Sequence, residues 1–236
     1  MEESMKVKLV SYSQLAIDPA LKDEYEHKLY DIQNLIAYCA RVSNPNNQSN
    51  TETTERLLRY LIENKHWSPF EMVSACLEIE TTRDIARQLL RHRSFSFQEF
   101  SQRYADPVKE LSFVLREARL QDKSNRQNSI KIGATLGEMN LIEQWNDKQI
   151  QVLAAAKEAY KWAVDNGIAK EQARVVLPEG MTMSRLYVNG TLRSWITYIE
   201  LRSGNGTQLE HLELAKACAV VISKVFPMIK RFVQDE

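Results

Sequence analysis

The sequence predicts an α/β (α+β-like) fold with more helix than strand: a mixed sheet of a few long strands flanked by helices, in a single compact unit. Three observations carry that expectation. β-Favouring runs at 6–12, 72–82, 111–116 and 181–188 are separated by longer stretches with apolar residues at helical spacing. No segment is rich enough in Gly, Pro or Ser to split the 236 residues, so 1–236 reads as a single domain. No GxGxxG follows a strand, and Gly204-Asn205-Gly206 is too short and falls between helices, so there is no Rossmann motif.

The elements follow in order. Lys6 to Tyr12 alternates enough for a first strand. From Tyr25 to Arg41, Leu29, Ile32, Leu35, Ile36, Cys39 and Ala40 recur at helical spacing, and the turn-rich tract Ser43 to Asn50 follows. Leu57, Leu58, Leu61 and Ile62 mark a second helix ending near Asn64. Met72 to Thr82 reads as a long strand handing over to a short helix that begins near Asp84, a first-turn acid. A strand is expected at 111–116 and polar loop at 121–131. Asn140 to Asn166 is a long amphipathic helix, stopped by Gly167. A short helix at 170–176, a strand at 181–188 and a helix at 191–202 come next. A final helix runs from Leu209 to about Val233.

Composition excludes several classes. With 44% hydrophobic and 26% charged residues the chain buries an ordinary core. Its 31 basic and 31 acidic residues balance, which argues against a generic nucleic-acid or membrane-surface binder. No apolar run approaches the roughly 20 residues that span a bilayer, and the N-terminus lacks a secretory layout. Cys39, Cys76 and Cys218 form no CxxC pair and read as buried thiols in a reducing compartment, the cytoplasm, or a host's cytoplasm if the source is viral. No GxSxG suggests a nucleophile elbow, and no HExxH or Cys/His cluster suggests a metal. His211, beside Glu210 and Glu213, reads as a surface group, and His27 as solvated.

The densest polar chemistry lies between Arg83 and Arg103. Arg83, Arg87 and Arg91 recur every four residues and would share a helix face. Arg91-His92-Arg93 follows, then Ser94, Ser96, Gln98, Glu99, Ser101 and Arg103, interleaved with Phe95, Phe97 and Phe100. Five arginines face only Asp84 and Glu99, so the segment is locally basic and suits phosphates and heterocycle edges. Residue chemistry alone fits a nucleotide, an RNA or a sulfated ligand. A nucleic-acid reading would use the arginines as a phosphate stripe and Phe95 and Phe97 as stacking platforms.

Arg91-His92-Arg93, seven residues, then Ser101 resembles the RHR-x7-S signature of the flavin-dependent thymidylate synthases. Gln88, Glu99 and Arg103 match its flanks. Ala40-Arg41-Val42-Ser43-Asn44-Pro45 and His66-Trp67-Ser68-Pro69-Phe70-Glu71 resemble two further family segments. Glu171 through Pro178 and Arg193 through Arg202 also match in order and spacing.

The resemblance implies a homotetramer with active sites shared between subunits, no nucleic-acid or membrane partner, and dUMP as substrate. It implies FAD as cofactor, with NADPH and 5,10-methylenetetrahydrofolate as co-substrates. The dUMP contacts it implies are Gln88, Leu89, Leu90, Arg91, Glu99, Phe100, Ser101, Gln102, Arg103, Arg174 and Arg202. The FAD contacts it implies are Ser43, His66, Ser68, Arg91, His92, Arg93, Glu99, Thr191, Arg193 and Thr197. No metal is implied. Arg202 would act as the catalytic residue, a fixed cation stabilising negative charge on the uracil edge and making the C5 carbon more nucleophilic. A thiolate is not required, in keeping with three cysteines that have no basic neighbourhood. The chain departs from the common pattern at Thr191, where many members have Asn, at Thr197, where many have Asn or His, and at Gly206, where some have His.

Overall fold

The strict alternation of the two longest strands decides the architecture. In chain order the strands are β1 (Lys6–Tyr12), β2 (Ser74–Thr82), β3 (Ser96–Glu99), β4 (Arg119–Gln121), β5 (Ser129–Lys131) and β6 (Met183–Thr191). The helices are α1 (Ile32–Ala40), α2 (Thr54–Glu63), α3 (Arg83–Leu89), α4 (Pro107–Glu110), α5 (Leu136–Asp165), α6 (Lys170–Ala173), α7 (Leu192–Arg202) and α8 (Leu209–Ile222). This computed structural model describes residues 5–15 and 31–233. The start of the first expected helix, with Tyr25, His27 and Leu29, lies outside them.

On β2, Ala75, Leu77, Ile79 and Thr81 are buried, while Cys76, Glu78 and Glu80 point to the other face. Leu186 and Val188 of β6 continue the buried row. The sheet runs β1-β2-β6-β3, and every pairing in it is antiparallel rather than mixed. Helices α3, α7 and α8 cover its apolar face, with Trp195, Tyr198, Ile199, Leu214 and Cys218 fully buried. Each large side chain sequestered there contributes about 1.5–3 kcal/mol of transfer free energy. Trp195 satisfies its indole N–H on the Ala75 carbonyl at 3.0 Å, which ties α7 to the sheet.

Several boundaries shift for identifiable reasons. Helix α5 begins at Leu136, not Asn140, because Thr135 and Glu138 form a reciprocal capping box. It ends as expected at Gly167, whose φ of 80° lets Ile168 N–H reach the Ala163 carbonyl at 2.9 Å. Helix α8 stops at Ile222 rather than continuing to Val233, since Pro227 opens a separate 3-10 turn, Pro227–Phe232. The expected strand at 111–116 is an extended segment with one isolated bridge, Phe113 to Thr182. Ser112 and Val114 bond to Met183 and Met181 at 3.1 and 2.9 Å, but the pairing stops there because the Arg116 backbone N–H and C=O are taken by the Gln149 side chain of α5. The tract expected as loop at 121–131 carries most of the β4–β5 hairpin.

Candidate active site

Two strands run into helices without an intervening loop, β2 into α3 at Arg83 and β6 into α7 at Leu192. Because Ser74 pairs with Thr191 and Thr82 with Met183, these joins lie at opposite ends of the strand pair. The two helices therefore start from opposite ends, and the residues that close them meet. Arg202, the last residue of α7, donates from Nε to His92 Nε2 at 3.0 Å, just past the end of α3. Its cation sits in the last turn of α7, where the carbonyl ends favour positive charge. Among the described residues no carboxylate pairs with Arg202. Its acceptor is a neutral ring.

The arginine stripe divides into two groups. Arg83 is buried and pairs with Glu99 at 3.3 Å and Glu179 at 3.7 Å. Arg87 forks onto both Glu179 oxygens, from Nη2 at 2.8 Å and from Nε at 2.8 Å. The segment is thus less basic than its own sequence indicates, because Glu179, 92 residues from Arg87, supplies the missing acid. Helix α3 ends at Leu89, so Arg91 lies beyond it and does not share its face. Arg91 and Arg93 are exposed on the turn before β3, and among the described residues neither guanidinium has an ion-pair partner. Those two are available to an anionic ligand, and Arg83 and Arg87 hold the scaffold.

Behind Arg202 lies a polar cluster only partly anticipated. His211 is fully buried, not a surface group. It shares the inward face of α8 with Ala215 and Cys218 at i+4 and i+7, a spacing that was visible in the sequence and outweighs its acidic neighbours. Its Nδ1 lies 3.1 Å from Gln88 Oε1. Tyr198 stands edge-on to His92 at 5.0 Å between ring centroids and tilted to His211 at 5.7 Å. Burial, with the nearby Arg202 charge, pushes His92 down to about 4. Burial, with Arg202 and His92, pushes His211 down to about 3. Both rings are neutral at physiological pH.

That pair predicts an acid-sensitive fold. Unfolded histidine takes up a proton near pH 6.5, and folded His211 and His92 do so only well below, so stability present above pH 6.5 is lost as pH falls toward 4. For the fully buried His211 the loss between pH 7.5 and 5 is about 2 kcal/mol, with less from half-buried His92. The carboxylates held low, Glu179 and Glu210 among them, act only below that interval. Urea midpoints at pH 7.5 and 5 check this; equal midpoints would contradict the burial of neutral His211.

The other anticipated residues fall into separate groups. Arg103 contacts Glu171 at 3.3 Å, and Arg174 donates from Nε to the Glu171 carbonyl at 3.2 Å, so Ser101, Arg103 and Arg174 gather on one side. Glu99 is turned inward to Ser184 at 2.8 Å and to Arg83. Leu89 is fully buried in the core and Gln102 nearly so, which leaves any ligand contact from them to the backbone. Leu90 and Phe100 are half-buried, the latter donating its backbone N–H to the Arg185 carbonyl at 2.9 Å.

Of the residues expected at flavin, Arg91 stays next to Gln88, its backbone N–H on the Gln88 carbonyl at 3.3 Å, and several others lie on separate segments. Thr191 caps α7, accepting the Ser194 N–H at 3.2 Å, and Thr197 donates to the Arg193 carbonyl at 3.0 Å. Both hydroxyls therefore serve the helix itself. Arg193 forms an ion pair with Glu71, joining it to the 3-10 turn Ser68–Glu71. His66 and Ser43 are exposed, the loop of Ser43 being held by Arg41, which donates to the Asn50 carbonyl and to Thr53. Burial raises all three thiols, most at fully buried Cys218, so none is primed as a nucleophile. Among the described residues no group of His, Cys, Asp or Glu could hold a metal ion.

Among the described residues, then, Arg91, Arg93 and Arg202 are the arginines of this region left without a carboxylate partner. The family model for thymidylate synthase complementing protein (Thy1) matches residues 26–228. A probable flavin-dependent thymidylate synthase of Paramecium bursaria Chlorella virus 1 is 49% identical, over 84% of this chain and 89% of its own. The flavin-dependent thymidylate synthase of Synechocystis sp. is 46% identical, over 84% and 87%. Among solved structures, the UMP/dUMP methylase PolB of Streptomyces cacaoi, bound with 5-Br dUMP, superposes with a TM-score of 0.75 at 26% identity, covering 97% of this chain and 94% of that one. The chain belongs to the flavin-dependent thymidylate synthase family.

Proposed function

We propose that this flavin-dependent thymidylate synthase methylates dUMP to dTMP at a site in which Gln88 and Arg202 read the base, with Ser101, Arg103 and Arg174 on the phosphate and Arg91 between them. The observation that carries the reading is the Arg202–His92 bond. Arg202 uses Nε on a neutral acceptor, which leaves its terminal N–H fork and its whole charge for the N3/O4 edge of uracil. A carboxylate in the place of His92 would have neutralised that charge. As electron density moves toward O4 in the transition state, the fixed cation stabilises it and C5 becomes the nucleophilic carbon.

When bound, FAD reduced by NADPH supplies the reducing equivalents, and 5,10-methylenetetrahydrofolate supplies the carbon. The exposed, unpaired Arg91 and Arg93 fit a cofactor rich in phosphate, flanked by His92 and approached by Ser43, His66, Ser68, Thr191, Arg193 and Thr197. The Thr191 hydroxyl, which accepts the Ser194 N–H, keeps its own proton to donate toward flavin, and the Thr197 hydroxyl, which donates to the Arg193 carbonyl, can only accept. Glu99, satisfied by Ser184 and Arg83, acts on either ligand chiefly by orienting β3.

A homotetramer fits the surface. Helix α5 buries only Gln149, Ala156, Tyr160 and Ala163 within the chain. It exposes Leu136, Trp145, Val152 and Trp162, more apolar surface than a lone subunit keeps in water. No described helix is long and apolar enough to cross a membrane, and we assign the enzyme to the cytoplasm. Light scattering is expected to give four chains per particle. The purified protein should take up FAD, lose its visible absorbance on NADPH, and release tritium from dUMP labelled at C5 when the folate is added. Protein that binds no FAD, or releases no tritium in the complete mixture, would overturn the reading.

A further inference from the structure

Glu210, Gln208, Gln88 and His211 form a hydrogen-bond chain whose direction is fixed at one end. Glu210 pairs with Arg116 at 3.2 Å and with Arg119, and as a carboxylate it can only accept. Gln208 Nε2 donates to it at 2.9 Å, so Gln208 Oε1 faces Gln88, whose Nε2 donates to that oxygen at 2.8 Å. Gln88 Oε1 is left facing His211 Nδ1 at 3.1 Å, and the proton between them must be on the ring. His211 Nε2 therefore carries a bare lone pair. It is sealed from solvent and has no hydrogen-bond partner.

A buried acceptor left bare costs about 1–3 kcal/mol, and an aliphatic side chain of similar size would avoid that cost. Packing alone does not explain a histidine in this position. The same ring lies 6.4 Å from His92, which holds Arg202, and its other nitrogen grips Gln88. We propose that His211, oriented by Gln208 and Glu210, is a positioning residue for the two side chains that read the base. Its Nδ1–H fixes the Gln88 carboxamide, and its bare Nε2 keeps an acceptor, not a second cation, beside Arg202. This rests on the reading of Gln88 and Arg202 as dUMP ligands.

Two substitutions separate positioning from packing. His211→Leu keeps the volume and removes both nitrogens, and His211→Asn restores a donor near Nδ1 only. With FAD loaded and tetramers intact, His211→Leu is expected to raise the KM for dUMP about tenfold, with little change in NADPH-driven flavin reduction without dUMP. His211→Asn is expected to bring that KM back to within about threefold of the parent, since the Gln88 contact returns. An unchanged KM in His211→Leu, or equal damage in both variants, would overturn the proposal. Should His211→Leu fail to fold, Gln208→Leu at a half-buried position breaks the same chain, and an unchanged dUMP KM there would overturn it too. Arg202→Ala and Gln88→Ala distinguish the underlying reading: if neither alters turnover or dUMP affinity, the base-reading assignment fails, whatever His211 does.

Discussion

Arg202→Ala is expected to reduce tritium release from C5-labelled dUMP by roughly 10³-fold or more, while the purified variant stays yellow. Removing one fixed donor to developing negative charge costs roughly 10²–10³ in rate, and Arg202 offers both a net charge and a donor fork. The loss corresponds to about 4 kcal/mol of transition-state stabilisation. No ion pair within the described residues depends on Arg202, so its removal breaks one hydrogen bond to His92 and leaves the core of α7 in place. FAD binding, which draws on Arg91, Arg93 and their neighbours, should persist. Arg202→Lys should recover only part of the rate, since a point charge cannot bond His92 and the base edge in the same geometry. Turnover within threefold of the parent in Arg202→Ala would refute the catalytic role.

Gly190→Ala is the second large effect, and its origin is steric. A Cβ at Gly190 would lie 2.3 Å from Phe95 Cδ1 and 2.6 Å from Cε1, distances that real methyl groups do not reach. Phe95 has little room to yield, being packed at 4.5 Å on Trp195 and 5.9 Å on Tyr198, both fully buried. Overpacking of this kind costs about 1–3 kcal/mol, which lowers the melting temperature of a chain this size by about 2–12 °C. Phe95 also packs at 6.5 Å on His92, so its displacement reaches the acceptor of Arg202. Stability and turnover should therefore fall together. Gly137→Ala, in the first turn of α5 with nothing within 4 Å, is the control and should be neutral or slightly stabilising. A melting temperature for Gly190→Ala equal to that control would contradict the packing described for Phe95.

These two positions differ in how they could be found. Arg202 stands in a stretch whose order and spacing match a family, and it was named from the sequence. Gly190 lies inside a strand pattern as one small residue, and nothing along the chain says that Phe95 crosses it. The same division runs through the fold. Strands at Ser74–Thr82 and Met183–Thr191 were legible because alternation reports one buried face. Strand β3, Ser96–Glu99, was not, because it is short, none of its residues is fully buried, and its pairing comes from β6, which lies far along the chain. The hairpin at 119–131 was missed for the same reason, its strands being short and polar.

By itself the sequence determined the longer local elements, the family and the candidate residues, since periodicity, caps and motif spacing are properties of neighbours along the chain. The tertiary structure alone decided which arginines remain available. Arg83 and Arg87 look like Arg91 and Arg93 until Glu179 is folded against the first two. It alone brought Arg202 to His92, 110 residues away along the chain, and left its cation on a neutral ring. The physical reason is common to all of these. Charge compensation and hydrogen-bond satisfaction act through space over a few ångströms, and only the fold says which distant residues come that close.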